Sequence, residues 1–300
     1  MKLRAGPSGL HLFDRRTGWN VLVEEVRVPP AQWAHAPRQI SVALTNACDL
    51  ACSYCYAPKT PGSLDADRLA GWLRELDENG CFGVGFGGGE PTLHRRFMEI
   101  CRETAATTNL AVTFTTHAHR ITPMHRDRLK GSVHFVRVSM DGVGATYEAL
   151  RGRPFAALRS RLEIVREMAP FGINFVINSR TFADLDGAID LARECGASEF
   201  LLLPEEPVDG TGGVDQETLS ALQEWVAKYR GAVPLAISES HSKDVCSDTL
   251  SAEAGLRAYA HVDANGFLKR SSYDKGGALI GPGGVMEALR QLEAGLAEGH

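Results

Sequence analysis

Across residues 38–238, short apolar runs alternate with longer stretches whose apolar positions recur every three or four residues. The runs at 40–44, 82–86, 112–115, 135–139, 175–178 and 200–203 have strand length. The stretches at 64–78, 96–107, 123–129, 156–168 and 183–194 carry helical spacing. In the first of these, Leu69, Trp72, Leu73 and Leu76 stand at i, i+3, i+4 and i+7, and Ser63 is placed to cap it. Strands alternating with helices call for parallel pairing through right-handed crossovers. The predicted fold is α/β, a partial (β/α)6 TIM-like barrel with its working face at the C-terminal strand ends.

The flanks read differently. Residues 10–13 and 20–23 enclose a Gly-containing loop, which predicts a short N-terminal hairpin, and Pro29, Pro30 and Pro37 mark the connector. Towards the end of the barrel, 219–229 reads as a further helix and 233–238 as a strand. Residues 259–262 and 267–269 form a hairpin around Asn265-Gly266, and 285–297 is a closing helix. The expected organisation is an N-terminal hairpin appendage (1–37), the barrel (38–238) and a small C-terminal extension (239–300).

Composition narrows the class. Hydrophobic content of 44% and charged content of 23% match an ordinary globular protein. The apolar runs are strand-sized, far short of a membrane span, and Met1-Lys2-Leu3-Arg4 does not lead into an apolar signal region. A cytoplasmic protein without a membrane role is expected. Net charge is −5 with no run of like charge, which argues against nucleic acid as the main partner.

Of the seven cysteines, Cys48, Cys52 and Cys55 crowd onto one short segment directly after the first barrel strand. Three thiolates so placed can each take one iron of a cubane cluster, leaving the fourth iron open to a small molecule. The alternatives are a zinc site or unrelated buried cysteines. A structural zinc needs four ligands, and no nearby Cys or His completes the set. Cys81, Cys101 and Cys195 read as buried core thiols.

Cys-x3-Cys-x2-Cys after a strand, with the aromatic Tyr54 before the last cysteine, resembles the signature of the radical S-adenosylmethionine (SAM) superfamily. Gly87-Gly88-Gly89-Glu90-Pro91-Thr92, ending the second strand, is similar to its Gly-Gly-Glu motif. The resemblance spans roughly residues 38–210. It implies a [4Fe–4S] cluster on Cys48, Cys52 and Cys55, and SAM beside it. The reduced cluster would cleave SAM to a 5′-deoxyadenosyl radical that takes hydrogen from unactivated carbon. By the same resemblance Gly88, Gly89 and Glu90 meet the SAM ammonium, and Tyr54 lies near the adenine. The segment Val138-Ser139-Met140-Asp141-Gly142, with Arg151-Gly152, is similar to the branch bearing SPASM or twitch extensions. There Ser139 and Arg151 would hold the ribose or carboxylate and Asn178 would end the fifth strand; Ser139 and Asn178 equally suit strand-end caps. An electron donor such as flavodoxin or ferredoxin is an implied partner.

The chain departs from that branch after Cys246, which no further cysteine follows; Lys269-Arg270-Ser271-Ser272 stands where relatives show Pro-Cys. The extension reads as a degenerate SPASM or twitch unit without an auxiliary cluster, which favours a redox-neutral outcome. Cys246 is then either the hydrogen donor of an epimerase or the relic of a lost cluster. Glu205, Glu206 and Glu239 at strand ends suit a small cationic substrate, or are solvated loop residues. His117 and His119 read as loop residues or substrate contacts rather than metal ligands. These features resemble the radical SAM epimerases of aminoglycoside biosynthesis, of the neomycin type, and imply an amino sugar as substrate. Modification of a ribosomal peptide is the main rival, and a non-catalytic cluster-binding protein is a third reading.

Overall fold

The computed structural model describes residues 1–208, 210–242 and 253–297, with Glu239, Leu296 and Ala297 described by their backbone only. Cys246, Asp209 and Asp244 lie outside the described residues.

The chain opens with β1 (Lys2–Gly6), β2 (Gly9–Phe13) and β3 (Asn20–Val23), an antiparallel sheet in the order β1-β2-β3. The expected hairpin is its β2–β3 half. The first strand escapes the pattern because only Arg4 and Gly6 of Lys-Leu-Arg-Ala-Gly are buried, so no apolar alternation marks it.

The barrel follows as β4 (Gln39–Thr45), α1 (Ala66–Glu78), β5 (Gly83–Gly88), α2 (Phe97–Thr107), β6 (Ala111–Thr116), α3 (Pro123–Leu129) and β7 (Phe135–Ser139). Next come α4 (Ala145–Arg151), α5 (Phe155–Met168), β8 (Phe171–Ile177), α6 (Leu185–Cys195), β9 (Glu199–Pro204), α7 (Gln216–Lys228) and β10 (Leu235–Ile237). The chain closes with β11 (Tyr259–Val262), β12 (Phe267–Lys269), β13 (Ala278–Leu279) and α8 (Gly284–Ala297). Strands β4 to β10 pair in parallel, each with its predecessor in the chain, as the crossover rule requires.

Among the described residues, the large sheet has ten strands in the order β10-β9-β8-β7-β6-β5-β4-β11-β12-β13. It is an open, partial barrel, in keeping with the predicted fold. β11 pairs in parallel with β4, placing Tyr259 opposite Gln39 and His261 opposite Ser41, so the C-terminal segment continues the barrel's own sheet. α1 buries Leu69, Trp72, Leu73 and Leu76, each worth about 1.5–3 kcal/mol once removed from water. Its cap is Asp65, which accepts from the Arg68 N–H at 2.8 Å. Ser63 instead bridges Thr45, which corrects the expected cap. Cys81 and Cys101 are core residues, whereas Cys195 is only partly buried.

The N-terminal sheet docks on the far end of the barrel. The Arg4 guanidinium donates to Ala36 O (2.8 Å) and Gly80 O (3.1 Å), and Arg15 donates to Thr108 O (2.7 Å) and Leu110 O (3.0 Å). All four carbonyls precede barrel strands, so the sheet faces away from the end where the cysteine segment emerges. No helix among the described residues is long and apolar enough to cross a membrane.

Candidate active site

The cysteine segment leaves β4 at Thr45, where the register with β5 shifts from Ala43↔Gly87 to Thr45↔Gly88. This shift brings the ends of the two strands together. Gly89 N–H donates to Thr45 O at 2.7 Å and Glu90 N–H to Ala47 O at 2.8 Å. A Cβ on Gly88, whose φ is +119°, would stand 2.2 Å from Thr45 O, and one on Gly89 would stand 2.2 Å from Ala47 O. These glycines are therefore required first by the chain's own close approach, and only Gly87 faces open space.

Glu90 is 1% exposed. One carboxylate oxygen accepts from Thr92 Oγ1 (2.6 Å), Thr92 N (3.2 Å) and Thr116 Oγ1 (2.8 Å), and the other from Thr116 Oγ1 (3.0 Å) and His117 N (3.1 Å). Its acceptor capacity is taken up by these partners, so an ammonium arriving here has to displace one of them. His117, 4% exposed, joins Glu90 to the cysteine segment through Nε2, which lies 2.8 Å from Asp49 Oδ1. His117 is thus a buried latch and not a rim residue. Burial raises the Asp49 carboxyl, yet its bonds to His117 and the nearby Arg120 outweigh that and hold it low. Ala118, next along, has a φ of 64°, the only positive value at a non-glycine among the described residues. Such a backbone state costs about 1–3 kcal/mol, and it lets His119 reach Tyr147 Oη at 2.7 Å.

A second set of contacts fixes the middle of the segment. Arg153 donates to Asp49 O at 3.2 Å, and Arg180 reaches Ser53 Oγ at 3.3 Å. Tyr54 Oη donates to Asp141 Oδ2 at 2.6 Å, and burial, reinforced by the Asp141 charge, keeps that phenol protonated. Asp141 is 1% exposed; it also pairs with Arg151 and accepts the Val176 N–H at 2.8 Å. Arg151 places a second N–H 3.5 Å from Cys52 Sγ, with its guanidinium over the Tyr54 ring at 5.8 Å. Its Nε is buried and has no partner. Leu50 N–H points at Cys48 Sγ from 3.4 Å, and burial pushes that thiol up. A cleft of about 720 Å³ opens beside Cys48 and Leu50, walled by residues 59–63.

The remaining expected residues lie at the rim. The Asn178 carboxamide accepts from Arg180 N (2.9 Å) and Thr181 N (3.1 Å) and donates to Glu205 Oε2 at 2.6 Å, which makes it a strand-end cap. The Ser139 hydroxyl, half-buried, has no side-chain partner among the described residues. Glu206 lies 3.5 Å from His241 Nδ1. Tyr273, from the loop after β12, packs on Tyr56 with ring centroids 5.0 Å apart. The side chain of Glu239 and all of Cys246 lie outside the described residues. Asp141 stands inside a motif the sequence displays, yet its role as a hub is visible only once β7, β8 and the cysteine segment meet.

The family model of the radical SAM superfamily matches residues 42–196, the stretch from within β4 to the end of α6 with all three cysteines of the segment. This chain belongs to the radical SAM superfamily. Mycofactocin maturase MftC of Mycobacterium tuberculosis is 32% identical over 173 residues, covering 54% of this chain and 44% of that protein. The chain thus spans less than half the length of that curated relative. Streptococcus suis SuiB bound to precursor peptide SuiA has the same fold, with a TM-score of 0.76 at 13% identity over 98% of this chain and 88% of SuiB. Native anSMEcpe with bound AdoMet and Cp18Cys peptide gives a TM-score of 0.63 at 17% identity, over 80% of this chain and 75% of that one.

A radical SAM enzyme takes a [4Fe–4S] cluster and SAM, and the residues present fit both. Cys48, Cys52 and Cys55 are free thiols on one segment, and N–H donors already face two of the sulfurs. The buried, unpartnered Arg151 Nε and the open face at Gly87 suit an anionic, close-lying ligand such as the carboxylate end of SAM. Cys48, Asp49 and His117 bring three ligand atoms within 4.8 Å of one another. The hydrogen bond between His117 and Asp49 accounts for that grouping without an ion.

Proposed function

We propose that this radical SAM enzyme modifies a ribosomally made peptide, with a redox-neutral outcome, and that Cys48, Cys52 and Cys55 hold its cluster. The cluster and SAM supply, when bound, the radical that takes hydrogen from the substrate. The chain's own part is positional. His117, Arg153 and Arg180 fix the cysteine segment against β6, α4 and β8, while Arg151 and Ser139 offer donors to SAM. The observation that carries the peptide reading is the likeness to SuiB bound to its precursor peptide, which extends over nearly the whole chain and not the barrel alone. The rim agrees: Tyr56 and Tyr273, 38% and 47% exposed, form an open aromatic platform beside Glu206, suited to a cationic side chain. The redox-neutral outcome rests on Lys269-Arg270-Ser271-Ser272 standing where the SPASM branch shows Pro-Cys; the Cys246 thiol is the proposed hydrogen donor.

A second reading, epimerisation of an amino sugar, draws on the same carboxylates and the same missing auxiliary ligands. One experiment separates the two. The reconstituted, reduced enzyme is incubated with SAM in deuterated water. One sample receives a set of short synthetic peptides containing lysine and arginine, the other a neomycin-type aminoglycoside. Deuterium entering a peptide with release of 5′-deoxyadenosine supports the proposal. Deuterium entering the aminoglycoside instead moves the assignment to the amino sugar.

A further inference from the structure

The cysteine segment, the C-terminal end of α4 and β8 meet at one buried carboxylate just past β7. Asp141 is 1% exposed and holds three partners: Tyr54 Oη, the Arg151 guanidinium and the Val176 N–H of β8. Each belongs to a different element, and each bond goes to a charged acceptor, the stronger class of hydrogen bond. Arg151 in turn has three faces. One N–H is on Asp141, a second is 3.5 Å from Cys52 Sγ, and Nε is buried without a partner. A guanidinium is a planar fork, so fixing one edge fixes the direction of the others.

We infer that Asp141 is a positioning residue: it clamps Arg151 so that one N–H stays on the Cys52 sulfur, raising the reduction potential of the cluster. The inference rests on the assignment of Cys52 as a cluster ligand. Donors near a ligand sulfur stabilise the extra negative charge of the reduced cluster, and hydrogen bonds to sulfur are among the main means of setting its potential. The same clamp fixes Nε, which is buried without a partner and so remains free to donate to an anionic group of SAM.

The sign of the effect separates positioning from simple charge. Asp141 is itself an anion near the cluster, so its neutralisation alone raises the potential. If its work is to hold Arg151 on Cys52, Asp141→Asn lowers the potential, because the released guanidinium leaves the sulfur. The experiment is an EPR-monitored redox titration of the reconstituted holoenzyme, with iron and sulfide content measured on the same samples. Wild-type content tests the cluster assignment by itself. In Asp141→Asn, a midpoint shifted to more negative values, with SAM affinity weakened about tenfold, supports the inference; an unchanged or raised midpoint overturns it. Arg151→Lys gives a second measurement should Asp141→Asn fail to hold a cluster. It keeps the charge and loses the fork, so a lowered midpoint is expected and an unchanged one contradicts the clamp. Tyr54→Phe removes only the phenol contact and leaves Arg151 in place, so its midpoint should match wild type, and a shift as large as that of Asp141→Asn contradicts the clamp.

Discussion

The two sides of the barrel mouth are built on opposite terms. Around the cysteine segment, the carboxylates of Glu90 and Asp141 are buried and already paired. Glu90 is saturated by Thr92, Thr116 and His117, and Asp141 by Tyr54, Arg151 and Val176. Toward β9 and the C-terminal segment, the carboxylates have few partners and the aromatic rings stand open to solvent. The difference teaches how the labour divides. The cofactor side is fixed in advance, since catalysis gains from groups that need not reorganise. The substrate side keeps exposed, adaptable contacts, as recognition surfaces in loops do.

The comparison breaks most visibly at Gly88. Gly88→Ala puts a Cβ 2.2 Å from Thr45 O at a φ of +119°. With backbone on both sides, it should cost more than about 3 kcal/mol and displace the cysteine segment. Thermal melting and cluster content check this, and a variant with wild-type values for both refutes the close-approach account. Next in size is Glu90→Gln, which removes the charge that Thr116 and His117 are bonded to. A loss of about 1–3 kcal/mol, and a few degrees in Tm, is expected, together with weaker SAM cleavage.

On the rim the expected pattern inverts. Glu206→Gln should leave Tm within about 0.5 kcal/mol of wild type. It should raise the substrate KM about tenfold, the worth of one charge-assisted hydrogen bond. A large Tm drop here erases the contrast between the two sides.

The smallest effect concerns pH. Burial pulls His119 and His261 down to about 4, so both are neutral in the folded chain at neutral pH. An unfolded histidine titrates near 6.5. The stability they contribute is complete above that value and is lost as pH falls from about 6.5 toward 4. Tm measured at pH 7.5 and 5.0 should decline, and His261→Gln should flatten the decline.

Much of this was legible in the chain. Barrel strands buried on both faces leave near-continuous apolar runs, and the bounds of β7 and α3 coincide with the pattern. β8 begins earlier than its apolar run suggests, because Gly172 interrupts it. That glycine is there since a Cβ would meet Glu199 O at 2.9 Å. α4 was not foreseen, being short and lacking a side-chain cap at Gly144. At the site, the cysteine spacing and the Gly-Gly-Glu segment could be read locally. The roles of Asp49, Asp141, Arg153 and Arg180 could not, since each depends on loops far apart in sequence converging on one segment. His117 was read as a rim contact because nothing local signals that Asp49 and Glu90 will enclose it.

The central claim is that one segment, held by this pre-paired frame, carries the chain's single cluster. Mössbauer spectroscopy of the anaerobically reconstituted wild type, beside a variant with Cys48, Cys52 and Cys55 all replaced by Ala, tests it most directly. The account predicts one [4Fe–4S] signal in the wild type and none in the variant. A cluster signal that survives in the variant, or a second cluster in the wild type, contradicts it.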